Sequence, residues 1–147
     1  MAVVGEMLEL AQVRANDVVF DLGCGDGRIV IEAARRFGAR GVCVDIDPRR
    51  IAEARANARR EGVEDKIRFI EENLLETRLQ DATVVMLFLS LDLNRRLQPK
   101  LLKELKPGAR VVSHWHRMGD WEPQKIVHAK GPYREHELFL WTVTKQD

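Results

Sequence analysis

The sequence contains little cysteine and no long hydrophobic run. Its two cysteines, Cys24 and Cys43, have no cysteine or histidine at a close metal-ligand spacing, so the pattern indicates neither a zinc knuckle nor a redox pair. We expect each cysteine to fill a small apolar space in the core, and we predict no bound metal. No segment approaches the roughly 18 apolar residues of a membrane span, and no basic flank precedes an apolar stretch near Met1. These absences favour a reducing, cytoplasmic setting without a membrane segment.

The chain also lacks a surplus of either charge. It has 24 lysines and arginines against 23 aspartates and glutamates, a net charge of +1 that gives no general attraction to a polyanion. Five arginines crowd one predicted helix: Arg49, Arg50, Arg55, Arg59 and Arg60. Apolar residues on the inner side of that helix favour a solvated outer face over a nucleic-acid patch. Nucleic acid is therefore an unlikely partner.

The length of the chain bounds its organisation. Its 147 residues are the size of one domain, and no repeat or low-complexity linker divides them. We therefore predict a single domain over residues 1–147, with no room for a separate substrate domain. The sequence does not indicate an oligomeric state.

The most informative stretch runs from Val18 to Arg28. It begins as a short apolar strand, and from Arg28 the apolar positions take the spacing of an amphipathic helix. Between them lie three glycines at alternate positions, Gly23, Gly25 and Gly27. Because glycine is costly in chain entropy, this density predicts that a ligand approaches the backbone closely. The free N–H groups at a helix start attract anionic or polar ligand groups.

The spacing of the glycines argues against a dinucleotide. The fingerprint Gly-x-Gly-x-x-Gly would need its third glycine at Arg28. Asp21 directly precedes the turn, and a carboxylate there suits a ligand with positive charge. A second strand, Gly41 to Val44, ends at Asp45, in the position that commonly holds two ribose hydroxyls, and Ile46 would lie under an adenine. The pattern predicts an adenosine with a cationic tail.

These motifs resemble those of a known family. Asp21-Leu-Gly-Cys-Gly-Asp-Gly-Arg and Asp45-Ile-Asp-Pro resemble the first two motifs of the seven-stranded methyltransferases that use S-adenosylmethionine. The segments Ala82-Thr-Val-Val-Met-Leu-Phe-Leu, Leu97 to Ser113 and Trp121-Glu-Pro resemble the small archaeal protein-lysine methyltransferases of broad specificity, and also the mitochondrial lysine methyltransferases. The resemblance covers nearly the whole chain. It implies S-adenosyl-L-methionine as cofactor, S-adenosyl-L-homocysteine as product, and a protein substrate with an exposed lysine.

The resemblance also implies a set of cofactor-binding residues. Asp21 would hold the amino end of the cofactor, Asp45 the ribose and Asn73 the adenine. The predicted cofactor-binding residues are Asp21, Gly23, Cys24, Gly25, Gly27, Asp45, Ile46, Asn73, Leu74 and Phe88. Glu72 stands where the family usually has a glycine. A role for Asn73 as the cap of a turn stays open beside its role at adenine.

The acceptor side is predicted at the ends of two later strands. Thr83 to Leu89 is continuously apolar and should be a central strand, and Ala109 to His114 should be the fifth. The predicted catalytic residues are Asp92, Asn94, Ser113 and His114, with Asp92 or His114 as a base, and Phe88 and Trp115 lining the acceptor side. Strand alternation would place His114 and His116 on one side, opposite Ser113 and Trp115.

The predicted fold is α/β. It is a single Rossmann-like, seven-stranded methyltransferase sheet, mostly parallel, with an antiparallel C-terminal strand and a reduced last crossover helix. Asp47-Pro48 should begin a helix, and Pro99 should break one into two. The last two strands, Lys125 to Ala129 and Glu137 to Val143, should form an antiparallel pair joined through Gly131-Pro132.

The sequence is also compatible with two other functions. The first is a small-molecule or RNA methyltransferase on the same fold, although the Asn-Pro-Pro-aromatic motif that the family uses on base nitrogens is absent after Leu87. The second is a module that binds S-adenosylmethionine without turnover, because a fold does not imply an activity.

Overall fold

The structure is a computed structural model that describes residues 2–130 and 135–144. Its elements in chain order are α1 (Ala2–Leu10), β1 (Val18–Leu22), α2 (Arg28–Phe37), β2 (Arg40–Asp45), α3 (Pro48–Arg60), β3 (Ile67–Glu71), β4 (Val84–Leu87), α4 (Leu91–Glu104), β5 (Arg110–His114), β6 (Lys125–Lys130) and β7 (Glu135–Thr142). Short 3-10 turns follow α3 and β3. No helix within the described ranges is long and apolar enough to cross a bilayer.

All seven strands form one sheet in the order β3-β2-β1-β4-β5-β7-β6. The first five strands in that order run parallel, and β7 is antiparallel to both β5 and β6. Residues 115–124, all described, carry no helix between β5 and β6. The predicted fold, including its reduced last crossover, is therefore confirmed. Gly131-Pro132, the predicted link between the last strands, lies outside the described residues.

Helices cover the sheet on both faces, and alternate residues of each strand point to opposite sides. Val19 packs with Met7 of α1, whereas Leu22 packs with Leu97 of α4. Asp21 shares the face of Val19, towards α1 and α2. The strand order reverses between β1 and β4, and ligands of open α/β sheets bind at the carboxyl ends of the strands beside such a reversal.

The ends of two helices follow their local chemistry, and one of them, the start at Asp47-Pro48, was predicted. Gly38 ends α2 in the left-handed conformation, with φ of 71°. Asp47 caps α3 by accepting a hydrogen bond from the backbone N–H of Arg49, and Pro48 is the first helical residue. Asp47 thus starts α3 directly after the carboxyl end of β2, at the predicted site, whereas Gly38 ends α2 before the amino end of β2.

The prediction of a break at Pro99 was wrong. Helix α4 runs without interruption from Leu91 to Glu104, with Pro99 inside it. Pro99 is exposed, so water can hydrate the backbone carbonyl that loses its helical donor. Leu97 and Leu101 on the opposite side are fully buried, and their packing holds the helix against the sheet.

Candidate active site

The glycine turn connects β1 to α2 and is fastened to the end of β2. The backbone N–H groups of Gly23 and Cys24 donate to the carbonyl oxygen of Val44 over 2.8 and 2.9 Å. Gly23, Gly25 and Gly27 all have positive φ, at 81°, 58° and 83°. This is the left-handed region that residues with a Cβ rarely occupy, which explains why the turn is built from glycine.

The glycines of this turn have different neighbours. A Cβ added to Gly25 would meet no atom within 4 Å, so the space above it is open. A Cβ on Gly27 would lie 3.0 Å from the Cβ of Ala54, so this glycine lets α2 and α3 pack closely. Gly25 therefore leaves room for a ligand. Gly27 instead makes a packing contact, and it borders neither of the two clefts that adjoin Gly23.

Asp21 is a buried carboxyl group without a full set of partners. It is 2% exposed, and its Oδ1 has no hydrogen-bond partner among the described residues. Burial, together with the nearby charges of Asp45 and Asp26, raises the pKa of Asp21 to about 7. A buried polar atom without a partner costs free energy, so this site is suited to a cationic ligand group that donates hydrogen bonds.

Asp21 lies in the wall of a cleft of about 240 Å³, which we call the Asp21 cleft. Its lining residues come from α1, the glycine turn, α2, α3 and the end of β4: Val3, Val4, Asp21, Gly23, Cys24, Gly25, Asp26, Arg28, Ile29, Arg50 and Phe88. The sequence reasoning missed Val3, Val4, Asp26 and Ile29 in this set, and also the two arginines, Arg28 and Arg50. Each arginine has a carboxylate partner, Asp26 at 2.6 Å and Glu53 at 2.8 Å respectively.

A second cleft of about 360 Å³, the Asp45 cleft, lies on the other side of Gly23. It is lined by Gly23, Asp45, Ile46, Glu72, Asn73, Leu74 and Leu93, of which Glu72 and Leu93 were not predicted as site residues. The carboxylate of Asp45 accepts from the backbone N–H groups of Gly25 and Asp47, both at 3.0 Å. These bonds fix its orientation, and each carboxylate oxygen can accept another donor.

Ile46 and Asn73 border the Asp45 cleft in different ways. Ile46 is 67% exposed and offers an apolar surface at the cleft. Asn73 caps the 3-10 turn Leu74–Glu76, because its Oδ1 accepts from the backbone N–H of Leu75 at 2.9 Å. The turn-cap role that the sequence left open is therefore present. Asn73 also borders the Asp45 cleft, and the cap uses only the oxygen of its amide.

The two cysteines are joined, which corrects the prediction from their spacing. Cys24 in the glycine turn and Cys43 in β2 form a disulfide with Cα atoms 5.3 Å apart. Their separation along the chain gave no sign of this pairing. The parallel pairing of β1 with β2 places Cys43 opposite Asp21, and the turn then brings Cys24 back over β2. Both cysteines are buried, and Cys24 borders the Asp21 cleft.

An aromatic cluster adjoins the Asp21 cleft. The ring of Phe88 stacks on the buried ring of His114 with centroids 3.8 Å apart, and Phe88 remains 47% exposed. Nε2 of His114 lies 2.7 Å from Nδ1 of His136, a residue of β7 that the sequence reasoning missed. The antiparallel pairing of β5 with β7 creates this contact, and no local motif indicates it.

Trp115 belongs to the same cluster, contrary to simple alternation along β5. Its backbone has a φ of 72°, and its ring meets those of His114 and His136 at 5.6 and 5.7 Å between centroids. The left-handed turn redirects the chain immediately after the strand ends. The predicted pairing of Trp115 with Ser113 on one side was therefore wrong.

Asn94 and Ser113 lie on the other face of the sheet, towards α4. Both are fully buried, and Nδ2 of Asn94 donates to Oγ of Ser113 at 2.9 Å and to the carbonyl of His116 at 3.1 Å. Neither residue borders the Asp21 cleft or the Asp45 cleft. Asp92 also borders neither cleft, and its side chain is 81% exposed, 4.0 Å from Arg96.

The two clefts together fit an elongated ligand. They meet at Gly23, with a buried, incompletely paired carboxyl group on one side and an oriented carboxylate beside an exposed apolar residue on the other. This arrangement suits a nucleoside that carries a positive charge at its far end. The aromatic cluster at Phe88 borders the cationic end, where a second reactant can enter.

Comparison with known proteins agrees with this geometry. Residues 21–125 match the family described as the ANTKMT methyltransferase domain. A protein-lysine N-methyltransferase of Saccharolobus islandicus (strain REY15A) is 43% identical over 142 residues, 96% of this chain and 88% of that protein. The adenine nucleotide translocase lysine N-methyltransferase of Mus musculus is 35% identical over 125 residues, 84% of this chain and 54% of that protein.

A solved structure shows the same fold at similar identity. The RNA methyltransferase from Salinibacter ruber, in complex with S-adenosyl-L-homocysteine, superposes with a TM-score of 0.92 at 45% identity. The match covers 99% of this chain and 92% of that one. The family match includes the glycine turn, both cleft carboxylates and the aromatic residue that follows β4. This chain is therefore a methyltransferase that belongs to the ANTKMT methyltransferase domain family.

Proposed function

We propose that this protein binds S-adenosylmethionine across the two clefts and transfers its methyl group to the side-chain amine of a lysine in a protein substrate. The observation that carries the proposal is the buried, incompletely paired Asp21 in a cleft that meets the Asp45 cleft at Gly23. The relatives from S. islandicus and M. musculus, both named lysine methyltransferases, support the choice of acceptor.

The cofactor-binding residues divide between the two clefts. Asp21 accepts hydrogen bonds from the ammonium group of the cofactor, and the open space above Gly25 admits its chain. In the other cleft Asp45 accepts from the ribose hydroxyls, and the exposed side chain of Ile46 contacts the adenine. The amide nitrogen of Asn73 remains available to an adenine ring nitrogen, because only its oxygen is used in the cap.

The residues beside the Asp21 cleft prepare the acceptor. When bound, the cofactor supplies a methyl group on a positively charged sulfur, open to in-line displacement. A lysine must lose its proton before it can attack, and the apolar surfaces of Phe88 and Trp115 favour its neutral form by desolvation. Of the predicted bases we favour His114, because it contacts Phe88 and is oriented by His136.

The other three predicted catalytic residues have contacts that support different roles. We propose that Asn94 and Ser113 position the acceptor side indirectly, since Asn94 fastens α4 to the end of β5 and to the segment beyond it. The exposed Asp92, at the start of α4, is accessible to a protein substrate but lies outside both clefts. A direct catalytic role for any of the three stays a prediction.

Methyl transfer to proteins tests the proposal directly. The purified chain, methyl-labelled S-adenosylmethionine and a panel of lysine-rich proteins should give labelled N-methyl-lysine after complete hydrolysis. Asp21→Asn should abolish the label. Asp65→Asn is the matched control, because Asp65 is an exposed aspartate outside both clefts, and it should retain full activity. Label that does not reside on lysine would contradict the proposed acceptor.

RNA is the second candidate acceptor, since the S. ruber relative is named an RNA methyltransferase. The contacts made by the arginines of α3 favour a protein acceptor over RNA. Arg50 and Arg59 pair with carboxylates of this chain, and the guanidinium of Arg55 lies over the ring of Phe69. Such pairing weakens the attraction of this face to phosphates. Total RNA offered beside the protein panel should therefore remain unlabelled.

The organisation and location of the chain are further proposals. We propose that residues 1–147 form one domain, which the shared sheet supports. The cytoplasmic setting stays a prediction, to be tested by locating a tagged chain in fractionated cells. An oxidised cysteine pair is uncommon in a reducing compartment, where such pairs are usually transient or redox-sensing.

A further inference from the structure

The disulfide lies inside the predicted cofactor site. Cys24 borders the Asp21 cleft between Gly23 and Gly25, and Cys43 sits in the middle of β2 with no exposed surface. Cys43 is held by the pairing of β2 with both of its neighbours. The bond therefore connects a rigid strand to the turn that approaches the ligand.

Reduction of the disulfide would change the conformation of the glycine turn at Cys24. Two thiol sulfurs cannot remain at bonding distance, and non-bonded atoms separate to about 3.5–4 Å. Cys43 cannot move far within its paired strand, so the sulfur of Cys24 must give way. Cys24 borders the Asp21 cleft, so we expect its sulfur to move towards that cleft, which would then hold part of the thiol side chain.

We propose that Cys24 and Cys43 form a reversible thiol–disulfide exchange site whose oxidised state is the form that binds S-adenosylmethionine more tightly. The proposal rests on the proposed function, because it concerns the same cleft. The disulfide holds Gly23 and Gly25 in the conformation that leaves the cleft open, and such preorganisation lowers the cost of binding.

The exchange partner is a low-molecular-weight disulfide such as oxidised glutathione. The thiolate of Cys24, on the cleft side, attacks one sulfur of that disulfide, forms a mixed disulfide and releases one thiolate. The thiolate of Cys43 then attacks the Cys24 sulfur, closes the protein disulfide and releases the second thiolate. The two cysteines lose two protons and two electrons, and the small disulfide becomes two thiols.

A ligand bound in the Asp21 cleft in turn affects the thiol–disulfide exchange of Cys24 and Cys43. Cys43 is fully buried, so an external thiol reaches the bond through Cys24 and the cleft. A bound ligand covers that route and slows reduction. By thermodynamic linkage, a tenfold difference in affinity between the two states shifts the midpoint potential of the pair by about 30 mV when ligand saturates both.

Titration of S-adenosyl-L-homocysteine into the oxidised and the reduced protein tests the proposal. Mass spectrometry after maleimide labelling should count no free thiol in protein treated with oxidised glutathione and two after dithiothreitol. We expect the dissociation constant to rise about tenfold on reduction. Saturating S-adenosyl-L-homocysteine should slow the reduction by dithiothreitol. Two free thiols in the glutathione-treated protein, or affinities that agree within a factor of two, would overturn the inference.

Cys43→Ala provides the control variant, because Cys43 borders neither cleft. In dithiothreitol its affinity should resemble that of the reduced wild type. Oxidised glutathione should not raise that affinity, because without Cys43 a mixed disulfide at Cys24 cannot be resolved into the protein disulfide. If the variant fails to fold, the wild-type comparison decides alone. Equal binding in both redox states refutes only the switch, whereas absence of binding in both refutes the cofactor assignment as well.

Discussion

Asp17 and Asp21 lie near opposite ends of β1, yet they differ in how fully their carboxyl groups are hydrogen-bonded. Both are buried. Asp17, just before β1, accepts hydrogen bonds from the backbone N–H of Arg14, the hydroxyl of Thr83 and the guanidinium of Arg110, each at 2.8 Å. Asp21, near the carboxyl end, has one oxygen that accepts no hydrogen bond within the part of the chain that the structure describes.

The pKa values follow these surroundings. Burial acts to raise the pKa of Asp17, but its hydrogen bonds and the charge of Arg110 outweigh it and lower the pKa below the ordinary value. Burial raises the pKa of Asp21 to about 7, with no compensating donor. The amino end of β1 thus carries a carboxylate whose hydrogen bonds stabilise the fold, and the carboxyl end carries the incompletely paired carboxyl group that we propose binds the cofactor.

The largest expected effect is that of Asp21→Asn on ligand binding. Removal of one partner of a buried charge pair costs about 2–5 kcal/mol, so the affinity for S-adenosyl-L-homocysteine should fall about 30-fold to 4000-fold. The ligand-free variant should be more stable than the wild type at pH 8, because a buried unpaired charge is removed. Calorimetric titration and urea denaturation measure the two effects. Unchanged affinity would show that Asp21 does not bind the ligand.

The pH dependence of the free energy of unfolding should reflect the raised pKa of Asp21. Because the folded-state pKa of Asp21 is raised, the folded chain keeps a proton between about pH 4 and pH 7 that the unfolded chain has lost. Stability should therefore fall by about 2–4 kcal/mol as the pH rises through this window. Groups with lowered pKa values, such as Asp17 and Asp26, lose their contribution only below it. The fall should be absent in Asp21→Asn, and its persistence there would assign it to other groups.

Asp17→Asn should have the opposite profile to Asp21→Asn. The change weakens the hydrogen bonds of Thr83 and Arg110 to a charged acceptor, and we expect a loss of about 2 kcal/mol in the free energy of unfolding. The affinity for S-adenosyl-L-homocysteine should remain within a factor of two. Urea denaturation and calorimetry again provide the measurements. A drop in affinity comparable with that of Asp21→Asn would erase the distinction between the two ends of β1.

Glycine substitutions should have smaller effects than the aspartate substitutions, and they test whether the ligand approaches the glycine turn. Gly25 and Gly62 both have positive φ, at 58° and 74°, and a Cβ on either would meet no atom within 4 Å. Alanine at either position should cost about 1 kcal/mol in stability. Only Gly25→Ala should weaken ligand binding, because its Cβ enters the Asp21 cleft. Equal affinities in the two variants would show that the ligand does not approach the turn.

The sequence predicts the features that depend on local pattern. The glycine turn, the carboxylates that follow two apolar strands and the helix start at Asp47 and Pro48 are all visible as spacing and residue type. The confirmed sheet, with its short last crossover, follows from the order and separation of apolar runs. These features position the Asp21 and Asp45 clefts before any coordinates are known.

Features that depend on contacts across the sheet could not be read from the sequence. His136 meets His114 only because β7 pairs with β5, and Cys24 meets Cys43 only because the turn folds back over β2. Pro99 remains helical because tertiary packing holds α4 in place. In these three cases a contact between residues far apart in the sequence overrode the local pattern.

The proton balance of ligand binding is the most direct test of a functional Asp21. Titration of S-adenosyl-L-homocysteine at pH 6 in buffers of different ionisation enthalpy measures the protons released. With a pKa of about 7 in the free protein and an ammonium partner in the complex, Asp21 should release close to one proton on binding. The release should disappear at high pH and in any Asp21→Asn complex that still forms. Binding at pH 6 without proton release would contradict the account.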